Sequence, residues 1–132
     1  MKQTILFIDD DLNFRELVAG ELERCGFNVI SAQDGTEALR HLDHASTYPD
    51  LIVLDLRMPN VAGTDFLAAL NHNAERAKIP VLVMSALMPE EIRKRTSGFP
   101  VRGYLSKSYF SLNDLRETIL SHIDRPARRR CA

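Results

Sequence analysis

Four consecutive apolar residues, Leu51-Ile52-Val53-Leu54, are closed off by Asp50 on one side and Asp55 on the other. A half-exposed strand would alternate apolar and polar residues. An unbroken short run rich in β-branched residues instead reads as a strand buried on both faces, the condition of a parallel sheet. The run stops at Asp55, and Arg57-Met58-Pro59-Asn60 then breaks the pattern. Open parallel sheets hold their ligands outside the carboxyl ends of the strands, so Asp55 is a candidate site residue. The plainer alternative is that Asp55 caps the helix that follows.

The rest of the chain repeats this pattern. Ile5-Leu6-Phe7-Ile8 is a second buried strand, ending in Asp9-Asp10-Asp11. Phe14, Leu17, Val18, Leu22 and Cys25 then recur at helical spacing, and Gly26 ends that helix. Phe27 to Ile30 reads as a strand, Asp34-Gly35 as a turn, and Ala38, Leu39 and Leu42 as a short helix. After Asp55, the residues Phe66, Leu67 and Leu70 mark a third helix. Pro80 to Met84 is a fourth buried strand, ending at Ser85. Pro89 to Thr96 gives a short polar helix, broken by Ser97-Gly98-Phe99-Pro100. Val101 to Leu105 is a weaker strand, interrupted by Arg102 and Gly103 as an edge strand tolerates. Ser111 is placed to cap a last helix bearing Leu112, Leu115, Ile119 and Ile123, which Pro126 ends. Five strands alternating with five helices predict an α/β fold, a parallel sheet with helices on both faces.

With 132 residues the chain has the size of one domain, read here as residues 1–125 followed by a basic tail or start of a linker at 126–132. A formal net charge of −1 gives no general attraction to nucleic acid or to a membrane surface. Cys25 and Cys131 lack metal-site spacing and read as free thiols of a reducing compartment. No apolar run is long enough to span a membrane and no signal-peptide core is present, so a cytoplasmic protein is expected.

Parallel connections bring every strand's carboxyl end to one edge of the sheet. Asp9, Asp10 and Asp55 should therefore meet there, with Ser85 and Lys107 beside them. Several carboxylates in one cleft repel one another unless a cation intervenes, and hard oxygen ligands with room for water suit Mg²⁺. A metal, a lysine and a hydroxyl around one carboxylate make a site for phosphoryl transfer. Asp11 reads as the N-cap of the first helix. His41, His44, His72 and His122 read as surface residues, and Arg93-Lys94-Arg95 and Arg128-Arg129-Arg130 as solvated charges.

From roughly Lys2 to Asp124 this ordered set resembles the response-regulator receiver domain of two-component signalling. The matching elements are Asp9-Asp10, Asp55, Met58-Pro59, Ser85-Ala86 and Lys107, with Tyr104 at the aromatic switch position. The resemblance implies a five-stranded sheet in the flavodoxin-like order 2-1-3-4-5. It implies that Asp55 is the phosphoacceptor, served by a sensor histidine kinase or phosphotransfer protein. Asp10 would bind Mg²⁺ directly and Asp9 through water, with the Arg57 backbone carbonyl as a further ligand. Ser85 and Lys107 would grip the phosphoryl oxygens. Tyr104 would turn inward with Ser85, altering the surface of the fourth helix, fifth strand and fifth helix for a downstream output domain or protein. Such a domain is no enzyme beyond its own phosphorylation and dephosphorylation, and would not itself bind nucleic acid.

Two positions depart from the family. Ala62-Gly63 stands where Asp-Gly is usual, and Ser108 follows Lys107 where proline is usual. A cis bond before a non-proline residue costs about 3–4 kcal/mol, so Lys107-Ser108 is expected to be trans with the lysine still aimed at the site. The rival readings are a phosphorylation-independent pseudo-receiver and an aspartate-nucleophile phosphatase. The phosphatase would want a second aspartate where Arg57 stands. A flavodoxin-like FMN binder is disfavoured because three aspartates after the first strand would repel the FMN phosphate.

Overall fold

The apolar runs pair as parallel strands in a computed structural model that describes residues 2–57, 62–108 and 111–123. The strands are β1 (Thr4–Ile8), β2 (Asn28–Ala32), β3 (Leu51–Leu54), β4 (Val81–Ser85) and β5 (Gly103–Ser106), in the order β2-β1-β3-β4-β5. Every neighbouring pair is parallel. The helices are α1 (Leu12–Arg24), α2 (Gly35–His44), α3 (Gly63–Asn71), α4 (Pro89–Thr96) and α5 (Leu112–His122). A short 3-10 turn at Arg76–Lys78 precedes β4. Met58-Pro59, Pro126 and the basic tail lie outside the described residues.

Strand alternation divides the interior in two. Leu6, Ile8, Ile52, Leu54, Val81 and Val83 face Leu42, Phe66, Leu70 and Ile92 of α2, α3 and α4. Ile5, Phe7, Leu51, Val53, Leu82 and Met84 face Val18, Leu22, Leu115 and Ile119 of α1 and α5. With both faces covered, the strands have no polar side, and β1, β3 and β4 therefore read as continuous apolar runs. Burying each such side chain is worth about 1.5–3 kcal/mol, which fixes the register.

Four local expectations need correction. Asp34-Gly35 is the start of α2 and not a free turn. Asp34 accepts from the Glu37 N–H at 2.8 Å, while Glu37 reaches back to the Gln33 N–H at 3.0 Å, a reciprocal cap. Leu17 is 52% exposed, because the buried stripe of α1 follows Val18 and Leu22, and Leu17 lies one residue round the helix from it. His122 is half-buried, with Nδ1 against the Thr118 carbonyl and Nε2 beside Gly103. Cys25 is disulfide-bonded, not a free thiol: spacing along the chain does not report approach in space.

The sheet ladder runs one residue past each strand towards the site. Asp9 N–H donates to the Ala32 carbonyl at 3.0 Å, Asp55 N–H to Ile8 at 3.0 Å, and Lys107 N–H to Ser85 at 2.8 Å. The candidate residues are thus hydrogen-bonded extensions of the sheet. Gly63 holds the start of α3 against this edge. A Cβ there would sit 2.6 Å from Leu56 Cα and 2.9 Å from the Asp55 carbonyl oxygen, both backbone atoms. Gly63→Ala should therefore lower stability by about 1–3 kcal/mol, read from the urea midpoint, since neither neighbour can rotate away. An unchanged midpoint would mean that α3 can lift off the edge at no cost.

Candidate functional site

Asp9 follows β1 and is fully buried; Asp55 follows the adjacent β3 and is 4% exposed. The two carboxylates are held alike. One oxygen of each accepts from the backbone N–H two residues on: Asp9 Oδ1 from Asp11 at 2.9 Å, and Asp55 Oδ1 from Arg57 at 3.1 Å. The second oxygen of each faces Lys107, whose Nζ is 2.8 Å from Asp9 Oδ2 and 3.7 Å from Asp55 Oδ2. Exposed Asp10 completes the group: Asp9, Asp10 and Asp55 each offer an oxygen within 4.8 Å of the others. Asp55 caps no helix, since α3 begins only at Gly63, after the N-cap Ala62. Asp11 does cap α1, accepting from Phe14 N–H at 3.1 Å.

Burial is the main reason that the Asp55 carboxyl is pushed up from 3.8 to about 6, and the charges of Asp9 and Asp10 add to it. The Arg57 N–H and the Lys107 charge pull the other way without prevailing. Burial alone would lower the Lys107 ammonium, but the hydrogen bond to Asp9 and the charges of Asp55, Asp9 and Asp10 outweigh it and hold the group above its ordinary value. The ammonium also lies 4.5 Å from the ring centroid of Phe14. Among the described residues no peptide bond is cis, so Lys107-Ser108 is trans, as expected from Ser108.

Ser85, at the end of β4, is fully buried, and its Oγ accepts from Leu87 N–H at 3.1 Å. Tyr104 on β5 is 37% exposed. Its hydroxyl accepts from Arg93 Nε at 2.9 Å, and the Arg93 guanidinium sits 5.6 Å from its ring. The cleft over Asp55 is bordered by Arg57, Ala62, Ala86, Lys107 and, from α4, Arg95. The donor set fits a hard divalent cation: three clustered carboxylates carry more negative charge than one lysine balances.

A family model described as the response regulator receiver domain matches residues 5–120. The chain belongs to that family. Among its relatives, the phosphate regulon transcriptional regulatory protein PhoB of Klebsiella pneumoniae is 33% identical over 109 residues, covering 83% of this chain and 47% of that protein. The chain thus spans about half the length of this regulator. In structure, the receiver domain is similar to the Vibrio cholerae chemotaxis protein CheY4, with a TM-score of 0.85 and 26% identity over 93% of this chain and 100% of that one. It is also similar to the response regulator protein TrrA of Thermotoga maritima, solved in complex with Mg²⁺-BeF, at a TM-score of 0.74 and 26% identity, covering 89% and 96% of the two chains. Among the described residues no helix is long and apolar enough to cross a membrane.

The sequence reading missed three neighbours of the site. Phe14 read as one more apolar helix position, and Arg93 and Arg95 as solvated charges. Their contacts depend on how the first turn of α1 and the body of α4 sit against the sheet, which periodicity does not report.

The raised carboxyl of Asp55 has a consequence for stability. A folded chain that holds this proton more tightly than the unfolded chain gains stability that is fully present below about 3.8 and lost as pH rises through about 6. In metal-free buffer Asp55→Asn should flatten the melting temperature across that window and exceed the wild type above it. Thermal scans against pH would show this; parallel curves for the two proteins would mean that Asp55 titrates normally.

Proposed function

We propose that this receiver domain takes a phosphoryl group from a histidine kinase or phosphotransfer protein onto Asp55. The observation that carries the reading is the meeting of three carboxylates within 4.8 Å beside Lys107. An Asp55 carboxylate oxygen would attack phosphorus in line with the phosphohistidine nitrogen. A P–O bond to Asp55 forms, the P–N bond breaks, and the imidazole leaves with the electron pair. Lys107 lies within reach of the oxygens that gather charge, and Ser85, which accepts from Leu87 N–H, keeps its own proton to donate to one of them. Asp9, Asp10, Asp55 and the Arg57 carbonyl would hold Mg²⁺. When bound, the ion neutralises carboxylate and phosphoryl charge.

The signal would leave through the surface of α4, β5 and α5. Drawing Ser85 towards the phosphoryl group moves the end of β4 beside β5, where Tyr104 is held outward by Arg93. An inward turn of Tyr104 has to break that contact, so the contact sets the resting position of the switch. Residues 1–125 are assigned to the receiver unit and 126–132 to a tail or linker towards an output domain or protein. The setting inferred is the cytoplasm, where an ATP-dependent kinase is supplied.

Incubation with acetyl phosphate and Mg²⁺, followed by intact mass, tests the transfer. One phosphoryl group should add to the wild type, and none to Asp55→Asn or without Mg²⁺. A folded wild type that binds Mg²⁺ yet gains no mass would instead be a phosphorylation-independent module. Mg²⁺ alone should stabilise the fold by about 2.7 kcal/mol at roughly 100 times its dissociation constant, raising the melting temperature. Tyr104→Ala should leave phosphorylation intact but make partner binding indifferent to it. Binding that still depends on phosphorylation would place the switch elsewhere.

A further inference from the structure

We propose that Phe14 is a positioning residue for Lys107, a cationic seat that aims the ammonium at the phosphoryl site. The inference rests on the reading of Lys107 given above. Lys107 follows β5, an edge strand of four residues, and the bond after it is trans. Its backbone is fixed by the Ser85 carbonyl, and the turn beyond it by Ser108 N–H donating to Ser106 Oγ at 3.1 Å. From there four methylene groups carry the charge, and nothing in the backbone decides where they point.

In this structure the carboxylates decide it, through Asp9 at 2.8 Å and Asp55 at 3.7 Å. Those oxygens are the ones that a divalent cation and a phosphoryl group would engage, so the tether weakens when the lysine is needed. The Phe14 ring is a contact of another kind. Its face attracts a cation electrostatically and takes up no oxygen acceptor, leaving the ammonium's N–H donors for oxygens. The ring itself is well placed. It packs 6.0 Å from Phe7 of β1 at an interplanar angle of 45°, and its backbone N–H is held by the Asp11 cap. A ring so held offers the ammonium, 4.5 Å from its centroid, a contact for which an incoming anion does not compete.

The test separates the ring face from the bulk of the side chain. Phe14→Leu keeps an apolar group and removes the face; Phe14→Tyr keeps the face. In proton NMR the Lys107 ε-methylene should show an upfield ring-current shift in the wild type and Phe14→Tyr, lost in Phe14→Leu. Beryllofluoride affinity in saturating Mg²⁺ should fall about two- to tenfold in Phe14→Leu and recover in Phe14→Tyr, with Mg²⁺ affinity alone unmoved. A purely structural role for Phe14 would instead lower the melting temperature and Mg²⁺ affinity together. Should Phe14→Leu not fold, phenylalanine analogues of increasing fluorination at position 14 weaken the ring face at nearly constant volume, and beryllofluoride affinity should fall stepwise along the series. Equal affinity in all variants, or no ring-current shift in the wild type, overturns the proposal. A wild type that binds Mg²⁺ but no beryllofluoride would overturn the phosphoacceptor reading itself, while the ring-current shift would still report whether Lys107 lies over Phe14.

Discussion

Two carboxylates buried at the ends of neighbouring strands repel each other, and the site is arranged around that repulsion. Asp9 and Asp55 cannot move apart, because each is hydrogen-bonded by its backbone to the next strand of the sheet. Neither can turn to solvent, because one oxygen of each is held by a backbone N–H two residues on. What remains is to supply positive charge. Lys107 supplies one unit, unevenly: it sits within hydrogen-bonding distance of Asp9 and farther from Asp55. Burial, with the charges of Asp9 and Asp10 added to it, holds the Asp55 proton up to about 6, and the more distant Lys107 pulls it down without prevailing. A group that lacks compensation in the resting state gains most from a cation or a new bond.

This arrangement was visible in the sequence to an unusual degree, for a physical reason. A parallel sheet buried on both faces writes its central strands as unbroken apolar runs, and Ile5 to Ile8, Leu51 to Leu54 and Val81 to Met84 show them without ambiguity. Once the strands are parallel, the residue after each run must lie on one edge, so Asp9, Asp55 and Ser85 come together by topology alone. The outer strands were less clear. β2 begins at Asn28 and β5 at Gly103, offset from the predicted starts, because half-exposed strands lack the apolar run that marks a boundary. Helix phase was less clear still. Leu17 and Val18 are adjacent apolar residues, and only packing decides that Val18 is buried. The neighbours of Lys107 and Tyr104 were hidden for the same reason: Phe14 and Arg93 reach them across elements, and no periodicity within one element encodes such contacts.

The two departures from the family pattern acquire a meaning in this frame. Ala62 provides no side-chain cap for α3, yet Gly63 after it is kept, because a side chain there would collide with the backbone at Asp55 and Leu56. Close approach is the stricter demand of the two: losing a cap costs on the order of 1 kcal/mol, whereas a Cβ would push the helix off the reacting edge. Ser108 likewise spares the fold a strained bond, and leaves the aim of Lys107 to side-chain contacts.

The proposed chemistry and signalling would fall on parts of the sheet that differ in how firmly they are packed. β3 and β4 are buried along their whole length, and β1 is buried from Ile5 onwards. β5 contains no fully buried residue, and α4, eight residues long, buries Ile92 alone. A phosphoryl group needs fixed oxygens and donors, since a misplacement of about 1 Å costs orders of magnitude in rate. A switch needs the opposite, an element that can shift without dismantling a core. Ser85 stands on the boundary, the last residue of a buried strand and paired in register with Ser106 of the exposed one. Under the proposed function, charge gathered on the rigid side would be read out on the loose side over a distance of one strand, with the Arg93–Tyr104 contact as the resistance to be overcome.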